Sequence, residues 1–165
     1  MFSVLEQQLM SLVDIIPLQA FVFIASIIEE IVAPIPSPAV MLIAGTVAKV
    51  QLLSIPEIFL VICIAVIGKT IGALCVYGLA YKAEGMLLPR FGKYFGITES
   101  DVDRLGARLT GKPRDYFVFT FLRAIPIFPS VLLSAGSGLL KVPLNIYIVS
   151  TFFGSIIRDS IYFYA

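Results

Sequence analysis

The chain has 165 residues, 59% of them hydrophobic and 14% charged, with a net charge of +1. Soluble domains average about 45–50% apolar and about 25% charged residues, so we predict that this surface faces lipid. The small net charge excludes a basic surface for nucleic acid. The absence of histidine excludes histidine-activated nucleophiles and histidine-ligated zinc.

The first third of the chain predicts a surface helix and then a helical hairpin. Residues 1–17 carry apolar side chains at helical spacing opposite polar ones, which indicates an interfacial amphipathic helix. Residues 18–50 form two apolar arms, each shorter than the roughly 20 residues that span a bilayer. Pro34, Pro36 and Pro38 separate the arms, because proline lacks a backbone donor and clashes with the preceding turn. We therefore predict a re-entrant hairpin over 18–50.

The middle of the chain predicts one membrane crossing and one cytoplasmic loop. Residues 55–81 are a long apolar run that starts near Pro56 and contains one cation, Lys69, which indicates a transmembrane helix. Residues 82–115 hold seven of the twelve Lys and Arg residues, so the positive-inside rule places this loop in the cytoplasm. A short apolar stripe within the loop predicts a surface helix.

The last third repeats the earlier pattern. In residues 116–141 an apolar arm ends at Arg123, Pro126 and Pro129 interrupt the helix, and a second arm follows, so we predict a second re-entrant hairpin. Residues 143–165 predict a final transmembrane helix. Its adjacent Arg158 and Asp159, near the end of the helix, are expected to be interfacial anchors.

An internal repeat relates the two hairpins. Residues 38–45 align without a gap on residues 129–136, with identity at five of eight positions. The aligned Gly45 and Gly136 are each expected to mark a close helix contact. One membrane crossing separates the first hairpin from the cytoplasmic loop, whereas the second hairpin follows that loop directly. The two hairpins are therefore expected to enter the membrane from opposite faces, as in transporters with inverted repeats. The predicted fold class is an all-α integral membrane protein, with two inverted re-entrant helical hairpins plus spanning helices in a single membrane domain, 1–165.

Charged residues precede both proline breaks: Glu29 and Glu30 the first, Arg123 the second. A charge at bilayer depth costs roughly 2.5–3.5 kcal/mol, so Arg123 is expected to pair with one of the two acids if the hairpin tips meet. Two interpretations stay open. The pair either locks the hairpins together, or forms a site in which Arg123 holds a phosphate and a glutamate takes a proton or cation. Lys69 and Ser130 are further candidates for this site.

Several motifs resemble the DedA family, whose members are also called SNARE-associated or VTT-domain proteins. They are Glu29 followed by Pro34-Ile-Pro36 and Ala44-Gly45, Gly68 followed by Tyr77, and Phe121-Leu-Arg123-Ala-Ile-Pro126 followed by Ala135-Gly136. The resemblance implies two facing re-entrant hairpins and movement of polyprenyl phosphates or phospholipids, by flippases or scramblases often tied to the proton gradient. It matches Glu29 to the acid of the first hairpin and Arg123 to the first arginine of the second. Pro38, Lys69 and Pro129 stand where the family often carries charged residues.

We therefore expect a multi-pass protein of the cytoplasmic membrane that transports a phosphate-bearing lipid and is not an enzyme. The expected site residues are Arg123, Glu29, Glu30, Lys69 and Ser130, with structural breaks at Pro34, Pro36, Pro38, Pro126, Pro129, Gly45 and Gly136. The expected partner is a membrane lipid with an anionic head group, with no metal, cofactor or nucleic acid. Proton coupling and homo-oligomers stay open. The alternative is a structural or assembly membrane protein in which a Glu29–Arg123 pair only locks the hairpins.

Overall fold

The computed structural model describes residues 17–32, 39–87, 112–126 and 129–164, and the regular elements within these ranges are all α-helices. They are α1 (Leu18–Ile31), α2 (Ala39–Val50), α3 (Ile55–Leu87), α4 (Pro113–Ala124), α5 (Ser130–Leu139) and α6 (Leu144–Tyr164). The prediction of an all-α fold is confirmed for this part of the chain. The predicted interfacial helix before Pro17, the prolines at 34, 36 and 38, and residues 88–111 of the predicted loop lie outside the described residues.

Four of the helices are short. The pair α1 and α2 has 14 and 12 residues, and the pair α4 and α5 has 12 and 10. At about 1.5 Å per residue, none of them reaches across a hydrocarbon core of about 30 Å. Ile55–Ala83 of α3 is the one helix among the described residues that is long and apolar enough to cross a membrane, and α3 continues past the predicted end at residue 81. Re-entry of the short pairs and a crossing by α6 stay predictions.

The second helix of each pair ends in the same turn. After α2 and after α5, two successive N–H groups donate to carbonyls three and five residues back, at 3.0 to 3.3 Å. Both turns place a residue other than glycine at a φ of 52°, Leu52 in one and Lys141 in the other. This hydrogen-bond pattern is a Schellman motif, which favours glycine because left-handed backbone costs other residues roughly 1–2 kcal/mol. The shared turn supports the internal repeat.

The packing of the helices also follows the repeat. The first helix of each pair packs along the long helix of its own half, α1 on α3 and α4 on α6. The second helix of each pair packs on the long helix of the other half, α5 on α3 and α2 on α6. The charged ends of α1 and α4 are therefore held against the two long helices.

The described helices have an apolar surface and a partly polar interior. Leu52, Ile55 and Phe117 are 88%, 79% and 73% exposed, whereas charged residues such as Glu30 and Lys69 are fully buried. Soluble proteins seldom bury charges completely, whereas membrane proteins turn them towards the interior of the bundle. The distribution agrees with the predicted surface that faces lipid.

Glycines permit close helix contacts, but not at every predicted position. Gly45 on α2 lies directly against the carbonyl group of Phe163 on α6, as predicted. The prediction for Gly136 is wrong for the described residues, because none of their atoms outside the backbone of its own helix lies within 4 Å of the position that a Cβ would take there. Gly138 makes the close contact of α5 instead, against the carbonyl of Tyr77 on α3. Two residues correspond to about 200° around a helix, so Gly136 faces the other way.

Candidate functional site

Six charged residues in the described part of the chain are buried among four helices, and none of them is more than 3% exposed. They are Glu29 and Glu30 on α1, Lys69 on α3, Arg123 on α4, and Arg158 and Asp159 on α6. Three are acidic and three are basic, so their formal charges sum to zero. Because a buried charge without a partner costs several kcal/mol, their geometry decides what this cluster is for.

Arg123 pairs with Glu30. Its Nη2 atom lies 3.0 Å from Oε1 of Glu30, and Ser134 donates its hydroxyl to the same oxygen at 2.9 Å. Arg123 Nη1 donates to Ser134 Oγ at 3.0 Å and lies 3.5 Å from the carbonyl oxygen of Ser130. Of the two acids left open by the sequence, Glu30 is thus the partner, and a lock made by Glu29 and Arg123 is wrong. Ser130 contributes its backbone carbonyl.

Lys69 joins the acids of α1 and α6. Its Nζ atom lies 2.9 Å from Oδ1 of Asp159 and 3.6 Å from Oε1 of Glu29, and all three side chains are at most 1% exposed. The prediction that Arg158 and Asp159 are interfacial anchors is wrong, since both are fully buried. The structure therefore brings all the predicted charged site residues into one cluster and adds two from α6.

Two glycines set the positions of Glu30 and Arg123. A Cβ on Gly72 of α3 would stand 2.9 Å from the Cβ of Glu30 and 2.8 Å from the carbonyl oxygen three residues earlier. A Cβ on Gly154 of α6 would stand 2.6 Å from the Cβ of Arg123 and 2.8 Å from the carbonyl oxygen three residues earlier. The same contact occurs in both halves, so Glu30 and Arg123 are equivalent residues of the repeat.

A row of aromatic rings connects Arg123 to the surface. The guanidinium carbon of Arg123 lies 5.7 Å from the ring centroid of Tyr147. Tyr147 stacks on Tyr77 with 4.6 Å between centroids, and Tyr77 stacks on Tyr81 at 6.1 Å. Tyr147 is buried, whereas Tyr81 is 48% exposed. The hydroxyls of Tyr147 and Tyr77 donate to backbone carbonyls at 3.0 and 2.7 Å, which fixes both rings.

A groove and a small cavity lie at the two ends of this row. The groove has a volume of about 400 Å³ and is lined by Tyr77, Tyr81, Lys141, Val142, Pro143 and Leu144. The cavity, beside Arg123 and Tyr147, has a volume of about 10 Å³, which is the space of one water at most. The groove therefore has the volume of a small-molecule pocket in this arrangement, whereas the space beside Arg123 does not.

The sequence pattern carries a signal for the two charges of α6. Buried polar or small residues recur there at helical spacing: Ser150, Thr151, Gly154, Ser155, Arg158 and Asp159. Such a polar stripe on an otherwise apolar helix indicates an inward face. Within the described ranges, no three acidic or cysteine side chains form a group that could hold a metal ion.

Comparison with known families gives a match that covers most of the chain. Residues 35–165 match a family model described as the VTT domain. The matched range includes Lys69, Arg123 and all of α6, and it begins after Glu29 and Glu30. The searches of curated proteins and of solved structures give no match.

Proposed function

Because the chain belongs to the VTT-domain family of membrane proteins, also called the DedA family, we propose that it carries a phosphate-bearing lipid across a bilayer. The observation that carries the proposal is the buried pair of Glu30 and Arg123 at the ends of two short helices beside proline breaks. The guanidinium of arginine matches two phosphate oxygens at once, so a phosphate head group can replace Glu30 as the partner of Arg123. Polyprenyl phosphates and phospholipids both present such a group.

Access to Arg123 requires movement. The cavity beside it holds one water at most, so a head group reaches the guanidinium only when α1 and α4 separate. The groove at Tyr81 has the volume of a ligand pocket, and Lys141 at its edge brings a positive charge. The stacked rings of Tyr81, Tyr77 and Tyr147 support a path from this groove to Arg123.

The charge balance of the cluster supports coupling to a proton. The six buried charges sum to zero, so an incoming monoanion leaves an excess negative charge that a proton on one acid would cancel. Of the three buried acids, Glu29 has the weakest contacts among the described residues, because neither of its carboxylate oxygens accepts a hydrogen bond there and Lys69 lies 3.6 Å away. In this form of the proposal, Glu29 takes a proton when the head group arrives.

A vesicle assay tests the proposal. The protein is reconstituted with a fluorescent lipid monophosphate, and loss of the outer-leaflet signal is followed over time. Wild-type protein should move the lipid, and Arg123→Ala should lose most of this activity. Arg114→Ala is the matched control, because Arg114 lies exposed on the same helix. Wild-type rates in Arg123→Ala would remove Arg123 from the mechanism.

A second candidate is a structural or assembly protein in which Glu30 and Arg123 only lock the helices. It is favoured by the closed geometry, in which Ser134 completes the pair without any ligand. The combined swap Glu30→Arg and Arg123→Glu separates the two candidates. A lock keeps its attraction after the swap, so the thermal stability persists, whereas a phosphate site on α4 loses its cation and lipid transport stops.

A further inference from the structure

Arg158 of α6 is buried without a hydrogen-bond partner among the described residues. The residue is 0% exposed, and its Nε, Nη1 and Nη2 atoms all lack an acceptor there. It takes part in none of the ion pairs found among the described residues. Since arginine does not lose its proton in proteins, the positive charge persists at this position.

The helices that carry Glu29 and Arg158 hold most of the unpartnered polar atoms. Of ten such buried side-chain atoms in the described ranges, nine belong to α1 and α6, and eight of these nine to five residues: Ser26, Glu29, Ser155, Arg158 and Asp159. Ser26 lies three positions before Glu29 on α1, and Ser155 lies three and four positions before Arg158 and Asp159 on α6, so both acids and Arg158 neighbour a serine one turn away. Lys69 of α3 reaches both acids, and Arg158 is near enough to Glu29 to interact with its carboxylate through space.

The fold itself does not explain the guanidinium. An arginine that extends to the membrane surface would be partly exposed, and this one is not. The neighbouring Asp159 points about 100° away around the helix and gives its Oδ1 atom to Lys69. Unpaired buried donors are costly, and charged residues at membrane depth mark binding sites.

We propose that Arg158 binds the oxygens of a phosphate monoester. This inference rests on the proposed function only where it names a lipid as the molecule that carries the phosphate. Adjacent N–H donors of a guanidinium match two phosphate oxygens side by side. Ser155, one turn earlier, offers a hydroxyl, and the free oxygens of Glu29 and Asp159 accept a hydrogen bond from the P–OH of the monoanion. The ligand that fits has both acceptors and a donor, which a phosphate monoanion has and a sulfate dianion lacks.

Thermal unfolding of the full chain in a neutral detergent tests the inference. Inorganic phosphate and decyl phosphate are titrated separately, with inorganic sulfate as the comparison anion. We expect phosphate to raise the unfolding midpoint of the wild-type protein more than sulfate does. Arg158→Met should lower the affinity for phosphate by about ten-fold or more, the loss expected for one charge-assisted contact. A response to decyl phosphate alone identifies the lipid head group as the source, and equal responses identify free phosphate as sufficient.

Lys69→Met is the matched control, because Lys69 is equally buried but has two acidic partners. Without ligand, Arg158→Met should unfold no lower than the wild-type protein, whereas Lys69→Met should unfold lower. An Arg158→Met midpoint as low as that of Lys69→Met, or no phosphate response in the wild-type protein, overturns the inference. If Arg158→Met does not fold, Arg158→Lys replaces it in the test, because a lysine cannot bind two phosphate oxygens side by side. Wild-type affinity for phosphate in Arg158→Lys would then overturn the inference.

The vesicle assay keeps the two proposals apart. Failure of the wild-type protein to move any lipid defeats the proposed function, while the phosphate titration still reports on Arg158. If Arg158→Met moves lipid at the wild-type rate and binds phosphate with unchanged affinity, the inference is wrong and the proposed function stands.

Discussion

Glu30 and Arg123 are equivalent residues of the two halves of the chain, and they pair with each other at 3.0 Å. Each lies against a glycine of the long helix of its own half, Gly72 for Glu30 and Gly154 for Arg123. The repeat thus places an acid in one copy and a base in the other at a single position. Two like charges would repel there, so charged residues at this position must have opposite signs in the two copies even though their turns and packing are alike.

Gly72→Ala and Gly154→Ala should each destabilise the protein. The added Cβ would stand within 3 Å of a carbonyl oxygen and of the Cβ of the charged residue, so helices must move apart. We expect a net loss of about 1–3 kcal/mol from overpacking, larger than the gain of about 1 kcal/mol that alanine brings to a helix. Thermal unfolding of the purified variants measures it.

Gly78→Ala and Gly136→Ala are the matched controls for this prediction. Outside the backbone of the glycine's own helix, no atom of the described residues lies within 4 Å of a Cβ at either position, so only the helix-propensity gain remains and stability should not fall. Equal midpoints for all four variants would show that the glycine contacts do not set the spacing of the helices.

Lys69→Met should cost about 3–5 kcal/mol of stability, because it leaves Glu29 and Asp159 buried together without their common cation. The double variant Lys69→Met/Asp159→Asn should recover part of this loss, since it also removes one of the two stranded charges. A double-mutant cycle on unfolding free energies measures the coupling. Lys82→Met, an exposed position of the same helix, should change little. A coupling near zero would contradict the contact at 2.9 Å.

Tyr147→Phe and Tyr147→Leu separate two contributions of one side chain. Phenylalanine keeps the ring under Arg123 and against Tyr77 but loses the hydrogen bond at 3.0 Å to Ala73, so we expect about 0.5–1.5 kcal/mol of lost stability and retained transport. Leucine also removes the cation–π contact, and lipid movement should then fall in the vesicle assay. Equal transport by both variants would mean that the ring does not position Arg123.

The positions of the breaks could be predicted from the sequence because they depend on local chemistry. Proline fixes its own backbone and excludes the helix before it, so α4 ends just before Pro126 and α5 begins directly after Pro129. The apolar arms and the charges before each break are equally local. These features placed Glu30 and Arg123 at matching helix ends without any knowledge of the packing.

The partner of Arg123 depends on tertiary packing and could not be predicted. Glu29 and Glu30 differ by about 100° around α1, so only one of them faces α4, and the contact of α1 with Gly72 decides which. The prediction that Arg158 is an interfacial anchor is wrong for a different reason. Its closeness to the end of α6 suggested an interface, whereas the polar stripe from Ser150 to Asp159 turns inward and is buried.

Leu52→Gly and Lys141→Gly form a matched pair at the two identical turns. Both replace a left-handed residue with glycine, so relief of the backbone should contribute up to about 1 kcal/mol of stability in each. Only Lys141 lines the groove beside Tyr81, so only Lys141→Gly should slow the movement of a lipid monophosphate. Because an anionic head group is drawn to that charge, the difference between the two variants should shrink as salt is raised. Equal transport by both variants at low salt would place the entry of the lipid elsewhere.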